Sequence, residues 1–582
     1  MIKIYDNFLK LTIVLNLFAY SIIAQSIITI DKTIQYQKIE GFGGNIENYD
    51  DNIRQTNEMV LTDRDADILV NDLGCTIFRH LIDGSFEPVN DNNNPLVADF
   101  SKFYNRRPYD IDGCLGNVHY PLDIAAGSYK KLKNLIGTNG DTSKIFTTVF
   151  SPQSWTKYVN CVMGMDPIWN RMATNEEELA KGGTDGVGGV KDFKAEFGEF
   201  CFVYFKKMKD LGINVDAFSI QNEPAFPEPY SSCVYSAESY AAVFKTVGLR
   251  LRDEGYKPRM IFTEDIGDLG RYNTFVKLIT KDPISSTFAD IAAVHSYAAN
   301  GITAGSTDAN LWRSLDKVSR QSSLPNKPRP FWQTETSGYR DHHDVGIAIY
   351  TALKYGKVNA WMTHKYNSYL ANFDKPSINL EYYGHKHYFK YIRQGAVSVD
   401  IVSTDDKLLV TAFQHSKHKT LSIQIINADT VNTKEFKLEQ KTVNGNPSTY
   451  KIFLTTPDGQ NFCKDKGNTN ASSVIKIPAK SIITLVGENS ISELPTSNEE
   501  ATTNETAQEL MVYPNPSGGQ ITLRFANSTK EQIEIMDAQL KTVKSEIVDF
   551  SNETADLDIS HLSNGIYYLK VKNQVKKVVI NK

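Results

Sequence analysis

The chain has 582 residues, with Lys+Arg 63 against Asp+Glu 68 and a formal net charge of −5. Hydrophobic residues make up 41% and aromatics 11%, enough for a large core, which excludes a mainly disordered chain. The near-neutral balance excludes a dedicated nucleic-acid binder, which would carry a basic stripe, and the length predicts roughly two to four domains.

Lys3 and Lys10 precede an apolar run from Leu11 to Ala24, and the small residue Ala24 is followed by Gln25. This is the pattern of an export signal over residues 1–24. The run is too short and poorly flanked for a permanent anchor. No later stretch reaches spanning length, so no membrane span is expected in the exported chain. Residues 25–40 alternate, with Ile28, Ile30, Ile34 and Tyr36 on one face, which reads as a strand of a side sheet.

From residue 41 to 396 short apolar runs alternate with helical patterns. Eight runs read as buried strands: Ile39–Gly43, Thr76–His80, Phe146–Phe150, Ala217–Ile220, Met260–Thr263, Ile291–His295, Pro330–Thr334 and Ala360–Thr363. Helices are expected from the Thr62 cap to Gly74, over about 194–210, from the Ser236 cap to Gly255, and over about 341–356. The fold class is α/β, a (β/α)₈ TIM barrel with insertions. An open doubly wound sheet is weaker, because no GxGxxG opens the first helix.

Residues 397–487 lose the helical period. Runs at Leu408–Phe413, Leu421–Ile425, Tyr450–Leu454, Val474–Ile477 and Ile482–Val486 read as a β-sandwich, which the N-terminal strand is able to join. Residues 488–508 are Ser/Thr/Asn/Glu-rich and read as a linker. Residues 509–582 form a separate all-β piece.

Cys75, Cys114, Cys161, Cys201, Cys233 and Cys463 show no CxxC or Cys/His ligand spacing, so no structural zinc is expected. Export permits disulfides, but spacing does not give their pairing. Asp341-His342-His343-Asp344 reads as a polar helix opening. The glycine run from Gly182 to Gly189 matches no phosphate-binding spacing and reads as a loop. No metal and no organic cofactor are indicated.

Two carboxylates stand out by position. Glu223 follows Ala217-Phe218-Ser219-Ile220-Gln221-Asn222, and Glu335 follows Phe331-Trp332-Gln333-Thr334. Both sit at the C-terminal ends of predicted strands, four and seven by count, where barrel active sites are built. Paired carboxylates flanking one bond are what glycoside hydrolysis requires.

Asn222-Glu223-Pro224 and the later Trp332-x-Thr-Glu-x-Ser337 segment resemble the clan A retaining glycoside hydrolases. Ile39-Glu40-Gly41-Phe42-Gly43-Gly44, Phe78-Arg79, the loop Phe150 to Lys157, His295-Ser296-Tyr297, Tyr391 to Ala396 and Pro478 to Thr484 narrow the resemblance to glycoside hydrolase family 30, over about residues 26–487. The resemblance implies Glu223 as general acid/base and Glu335 as nucleophile, with Asn222 bonding the sugar 2-OH. It implies Arg79 and Tyr297 holding Glu335 ionised, and His295 lining the site. Carboxyls about 5–5.5 Å apart are expected for retention. Departures fall in the sugar-gripping subsite. Only Trp155 remains in the strand-three loop. His364 replaces the strand-eight Trp of some members, leaving Trp361 nearby. The acidic residue expected after Arg79 has Asp83 or Glu87 as its candidates.

Tyr513-Pro514-Asn515-Pro516, Leu562 to Leu569 and the basic end Lys576 to Ile580 resemble the C-terminal sorting domain of type IX secretion substrates in Bacteroidota. That implies handling by the type IX secretion machinery and a secreted or outer-cell-surface location. The expected function is a secreted retaining β-glycoside hydrolase cutting a β-linked polysaccharide of xylan or β-glucan type. Two alternatives stand beside it: a clan A hydrolase acting on algal galactan, and a non-catalytic carbohydrate-binding surface protein on a degenerate barrel.

Overall fold

The computed structural model describes residues 25–45, 60–488 and 510–582, apart from 93, 106–120, 165, 167, 174–184, 187–189, 192, 267, 298–307, 321–328, 365, 367–368, 371–372, 442–444, 516, 526–528, 538–540, 551–552 and 573. The proposed export signal, most of the glycine run and nearly all of the proposed linker lie outside the described residues.

The first strand, β1 (Ser26–Lys38), belongs to the side sheet. The barrel follows with β2 (Gly41–Asn45), β3 (Ile77–Ile82), β4 (Lys144–Val149), β5 (Ala217–Ser219), β6 (Arg259–Asp265), β7 (Ala289–His295), β8 (Phe331–Glu335) and β9 (Ala360–Thr363). They pair in parallel and in chain order, and β9 closes on β2. All eight expected strands are present, with ends shifted by at most a few residues.

Period-two alternation decides what fills the barrel. Ile77, Phe146, Ile261, Trp332 and Met362 point inward as a packed core of their own, while their strand neighbours face the helices. The glycine-rich β2 permits close approach to β3. A Cβ on Gly43 would sit 1.6 Å from the Ile77 carbonyl oxygen, so no larger residue fits there.

The helices follow their sequence signals. Asp63–Asp67, capped by Thr62, runs on through a π-turn over Ile68–Leu73 and ends on left-handed Gly74. After it come α1 (Leu122–Thr138), α2 (Phe193–Asp210), α3 (Ala237–Asp253, capped by Ser236), α4 (Leu269–Lys281), α5 (Ala309–Ser319), α6 (His342–Lys354) and α7 (Leu380–Phe389). Asp341 caps α6 by accepting from His343 N and Asp344 N, the polar opening expected of that segment.

Strands β10 (Val397–Ser403), β11 (Leu408–His415), β12 (Thr420–Asn427), β13 (Lys434–Gln440), β14 (Thr449–Thr455), β15 (Lys464–Asn470), β16 (Ile475–Ile477) and β17 (Ile482–Glu488) form a nine-stranded sheet with β1. Its order is β15-β14-β17-β12-β11-β10-β1-β13-β16. β1 lies between β10, antiparallel, and β13, parallel. One expectation fails inside β1: Ile28 and Ile30 are buried, but Ile34 and Tyr36 are exposed. The register slips between Asp31 and Gln35, and such an irregularity reverses which face later residues occupy. Residues 511–580 form a three-stranded and a four-stranded sheet around their own core, which includes Leu523, Ile533, Leu569 and Val578. Cys75, Cys201, Cys233 and Cys463 are free and buried, and Cys161 is disulfide-bonded.

Histidines seal the seam between barrel and side sheet. His342 Nε2 lies 3.0 Å from the Lys480 carbonyl, and His343 Nε2 lies 3.3 Å from that of Asn427. His387 bridges Thr484 Oγ1 and Thr455 Oγ1 at 2.8 Å each. His415 Nε2 lies 2.7 Å from the Gln394 carbonyl. Burial lowers the pKa of all four, to about 4 for His342 and His415. These rings are neutral when folded and bind protons when unfolded, so their contribution is complete above about pH 6.5 and lost as pH falls. Denaturant unfolding between pH 7.5 and 4.5 is expected to show stability dropping by up to about 1.4 kcal/mol per pH unit for each such histidine. His415→Gln should shallow that slope by about one proton, and an unchanged slope would contradict the assignment.

Candidate active site

Arg79, on β3, is fully buried inside the mouth of the barrel. Its Nη1 donates to Glu335 Oε2, and its Nη2 lies 2.8 Å from both Glu264 Oε1 and Asn222 Oδ1. Its Nε donates to Thr148 Oγ1 at 3.0 Å, and that hydroxyl donates to Glu264 Oε2 at 2.9 Å. One guanidinium therefore organises the ends of β3, β4, β5, β6 and β8.

Glu335 ends β8. Its Oε1 accepts from the Tyr297 hydroxyl at 3.0 Å and lies 3.4 Å from His364 Nδ1. Burial alone would favour its neutral form. His364, His295 and Arg79 outweigh that and hold the carboxyl well below the ordinary range.

Glu223 follows β5 with φ +43°, in the left-handed region. A non-glycine residue there costs roughly 1–3 kcal/mol. Neighbouring strands hold it in place: Asn222 N donates to the Val149 carbonyl at 2.7 Å and Glu223 N to that of Glu264 at 2.9 Å. Glu223 Oε1 lies 2.7 Å from His295 Nδ1. Burial disfavours charge on His295, but Glu335, Glu223 and Glu264 outweigh it and raise its pKa to about 10. One ligand atom from each of Glu223, His295 and Glu335 lies within 4.8 Å of the others.

The structure thus gathers Glu223, Glu335, Asn222, Arg79, His295, Tyr297 and His364. It does not gather Trp361, which is fully buried on the helix side of β9 against Tyr339, His385 and Phe389. Its strand neighbours Ala360 and Met362 face the barrel interior, so alternation turns Trp361 away. Trp155 lies in the Ser154–Thr156 turn, half-buried and edge-on to Phe193. Asp83 caps Gly84–Phe86 and accepts from the Ser231 hydroxyl at 2.5 Å.

Two carboxylates escape the sequence reading. Glu264, at the end of β6, is held ionised against its burial by Arg79 and His295. It occupies the same strand-end position as Glu223 and Glu335, but left-handed Thr263 and a register shift between Phe262 and Asp265 move the end of β6 beyond the expected one. Glu228 is nearly fully buried in the loop after β5. Its side chain lies beside those of Glu223 and Tyr230, and burial together with Glu223 raises its pKa to about 9.

Replacing Arg79 by Met would leave two buried carboxylates without their shared cation, a change expected to cost about 3–5 kcal/mol. In the parent, depressed pKa values at Glu335 and Glu264 contribute stability above about pH 4.3, lost as pH falls. In Arg79→Met burial is opposed only by His295 and His364, so both carboxyl pKa values should rise and stability should fall less steeply as pH drops from 8 to 4. Urea midpoints across that range should show the shallower slope, and an unchanged slope would contradict the role given to Arg79.

Residues 511–582 match the family described as secretion system C-terminal sorting domain. The barrel and side sheet superpose on a glycoside hydrolase family 30 endoxylanase from Clostridium papyrosolvens C71, with TM-score 0.55 and 18% identity, over 79% of this chain and 99% of the other. An endo-β-1,6-glucanase structure superposes with TM-score 0.50 and 16% identity, over 79% and 94%. An endo-1,6-β-D-glucanase of Aspergillus fumigatus is 32% identical over 117 residues, which are 19% of this chain and 22% of that protein, so the match spans about a fifth of the relative's length. Residues 511–582 are a secretion system C-terminal sorting domain, following a barrel and side sheet with the fold seen in glycoside hydrolase family 30.

Proposed function

We propose that this protein is a retaining β-glycoside hydrolase of family 30 type, exported through the type IX route to act on a β-linked polysaccharide. The observation that carries the proposal is the pairing of Glu223 and Glu335, with carboxylate oxygens within 4.8 Å, in unequal surroundings. That spacing is on the short side, whereas an inverting pair leaves room for a water at about 6.5–9.5 Å.

In the first step Glu335 attacks the anomeric carbon as its glycosidic C–O bond breaks, and Glu223 gives a proton to the departing oxygen. In the second, Glu223 takes a proton from water, the water oxygen bonds to the anomeric carbon, and Glu335 leaves. Arg79, Tyr297 and His364 keep Glu335 ionised and aimed. Asn222, fixed by Arg79, presents its amide toward the sugar 2-OH. Glu228, high in pKa and beside Glu223, keeps a proton close to the acid. The two relatives named as endo-1,6-β-glucanases make β-1,6-glucan the first polymer to test, with xylan second.

The full chain should release oligosaccharides from one of these polymers. Glu335→Ala is expected to lower kcat by about 10⁴-fold or more, and Glu223→Gln by about 10²–10⁴-fold on unactivated substrate. Proton NMR of the first product should show the β-anomer. Undiminished activity in Glu335→Ala, or an inverted product, would sink the assignment.

A further inference from the structure

Away from the carboxylate pair, acidic side chains from two segments meet in the interior. Glu87 and Asp91 lie in the loop after β3, and Glu196 and Glu199 lie about one turn apart on α2. One carboxylate oxygen from each of Asp91, Glu196 and Glu199 lies within 4.8 Å of the others. Glu87 stands close enough to act electrostatically on all three, and its Oε2 accepts from Gln153 Nε2 at 2.7 Å. Glu87, Glu196 and Glu199 are 1%, 2% and 0% exposed.

Glu199 is the informative member. It is wholly enclosed and points into the gap between Asp91 and Glu196, and among the described residues no amide, hydroxyl or cation donates to either of its oxygens. The Glu196 carboxyl faces it, and those two can bond each other only when one of them holds a proton. Asp91 Oδ2 accepts from Asn92 Nδ2 at 2.8 Å and from Asp99 N, while its Oδ1 receives no donor. Among the described residues the nearby cation is Arg250, whose Nη1 donates to the Pro95 carbonyl and whose Nη2 lies 3.1 Å from Glu254 Oε1; its Nε finds no acceptor, and it acts on Glu199 by charge alone. Glu199, removed from water and with no donor among the described residues, costs several kcal/mol as an ion unless a proton or a cation neutralises it.

We propose that Asp91, Glu196 and Glu199 bind a calcium ion that pins the loop after β3 to α2. The donors are oxygens alone, with no histidine or cysteine among them, which selects a hard cation over zinc or copper. Calcium accepts six to eight oxygens in adaptable geometry, whereas magnesium demands a near-ideal octahedron and keeps several waters. Glu87, steered by Gln153, supplies a further oxygen near the ion. No short ligand spacing announces this site in the sequence, because the loop and the helix that build it are about a hundred residues apart. It shares no residue with the Glu223–Glu335 cluster, so it stands or falls independently of the glycosidase proposal.

The test uses the full chain stripped with EDTA. Calorimetric titration with CaCl₂ should give one saturable site per chain, in or below the range of about 10⁻⁴–10⁻³ M typical of extracellular modules. The thermal midpoint should rise with calcium concentration and respond much less to MgCl₂. Glu199→Gln should weaken calcium binding by at least about 10-fold. Asp91→Asn, at a more exposed position, should do the same if the first variant fails to fold. Absence of saturable binding up to about 10 mM calcium, well above that range, would overturn the proposal, as would unchanged affinity in a folded variant. A calcium-independent midpoint that falls as pH rises from 6 to 9 would show that the cluster holds protons instead, and would overturn it equally.

Discussion

A single buried cation decides what the mouth of this barrel can be. Arg79 has no exposure to water and bonds to groups at the ends of four other strands. A guanidinium in that position must be surrounded by acceptors, and its planar fork fixes where they stand. Glu335 and Glu264 compensate its charge, and it compensates theirs. Asn222 is oriented as a by-product, and Glu223, the next residue, is held in a left-handed conformation by the Val149 and Glu264 carbonyls. The chemistry proposed for the two carboxylates thus depends on an ion-pair network that the substrate need never touch.

The network also separates the carboxylates by kind. Glu335 lies among Arg79, Tyr297 and the rings of His295 and His364. Glu223 lies between His295 and a second carboxyl, Glu228. One environment supplies positive charge; the other mixes a cation with a group that keeps its proton.

What is legible in the sequence follows the physics of each segment. The barrel strands are legible because buried parallel strands are short apolar runs, and three helices because Thr62, Ser236 and Asp341 announce their starts, whereas α1, α4, α5 and α7 are not among the helices expected from the sequence. Glu223 and Glu335 are legible because they end such runs. Strands β13 and β15 are not, since Lys434–Gln440 places only Phe436 and Leu438 inward and Lys464–Asn470 is wholly polar. The register slip in β1 and the shift in β6 leave no mark in an apolar pattern, and they account for Ile34, Tyr36 and Glu264. Likeness to a family position puts Trp361 near the sugar, whereas strand alternation turns it to the far side. Glu228, between Pro227 and Pro229, opens a short strand over Glu228–Ser231, and only the fold brings it beside Glu223.

The placement of β1 has a consequence for export. Ile28 pairs with Ser403 on one side and Leu438 on the other, so the first strand to emerge has partners made only after the whole barrel. Contacts this remote in sequence close slowly. Until β10 and β13 arrive, β1 exposes two unpaired edges, a template for pairing with other chains. A chain crossing a membrane from its N-terminus therefore exposes β1 before any of its partners in the side sheet has emerged.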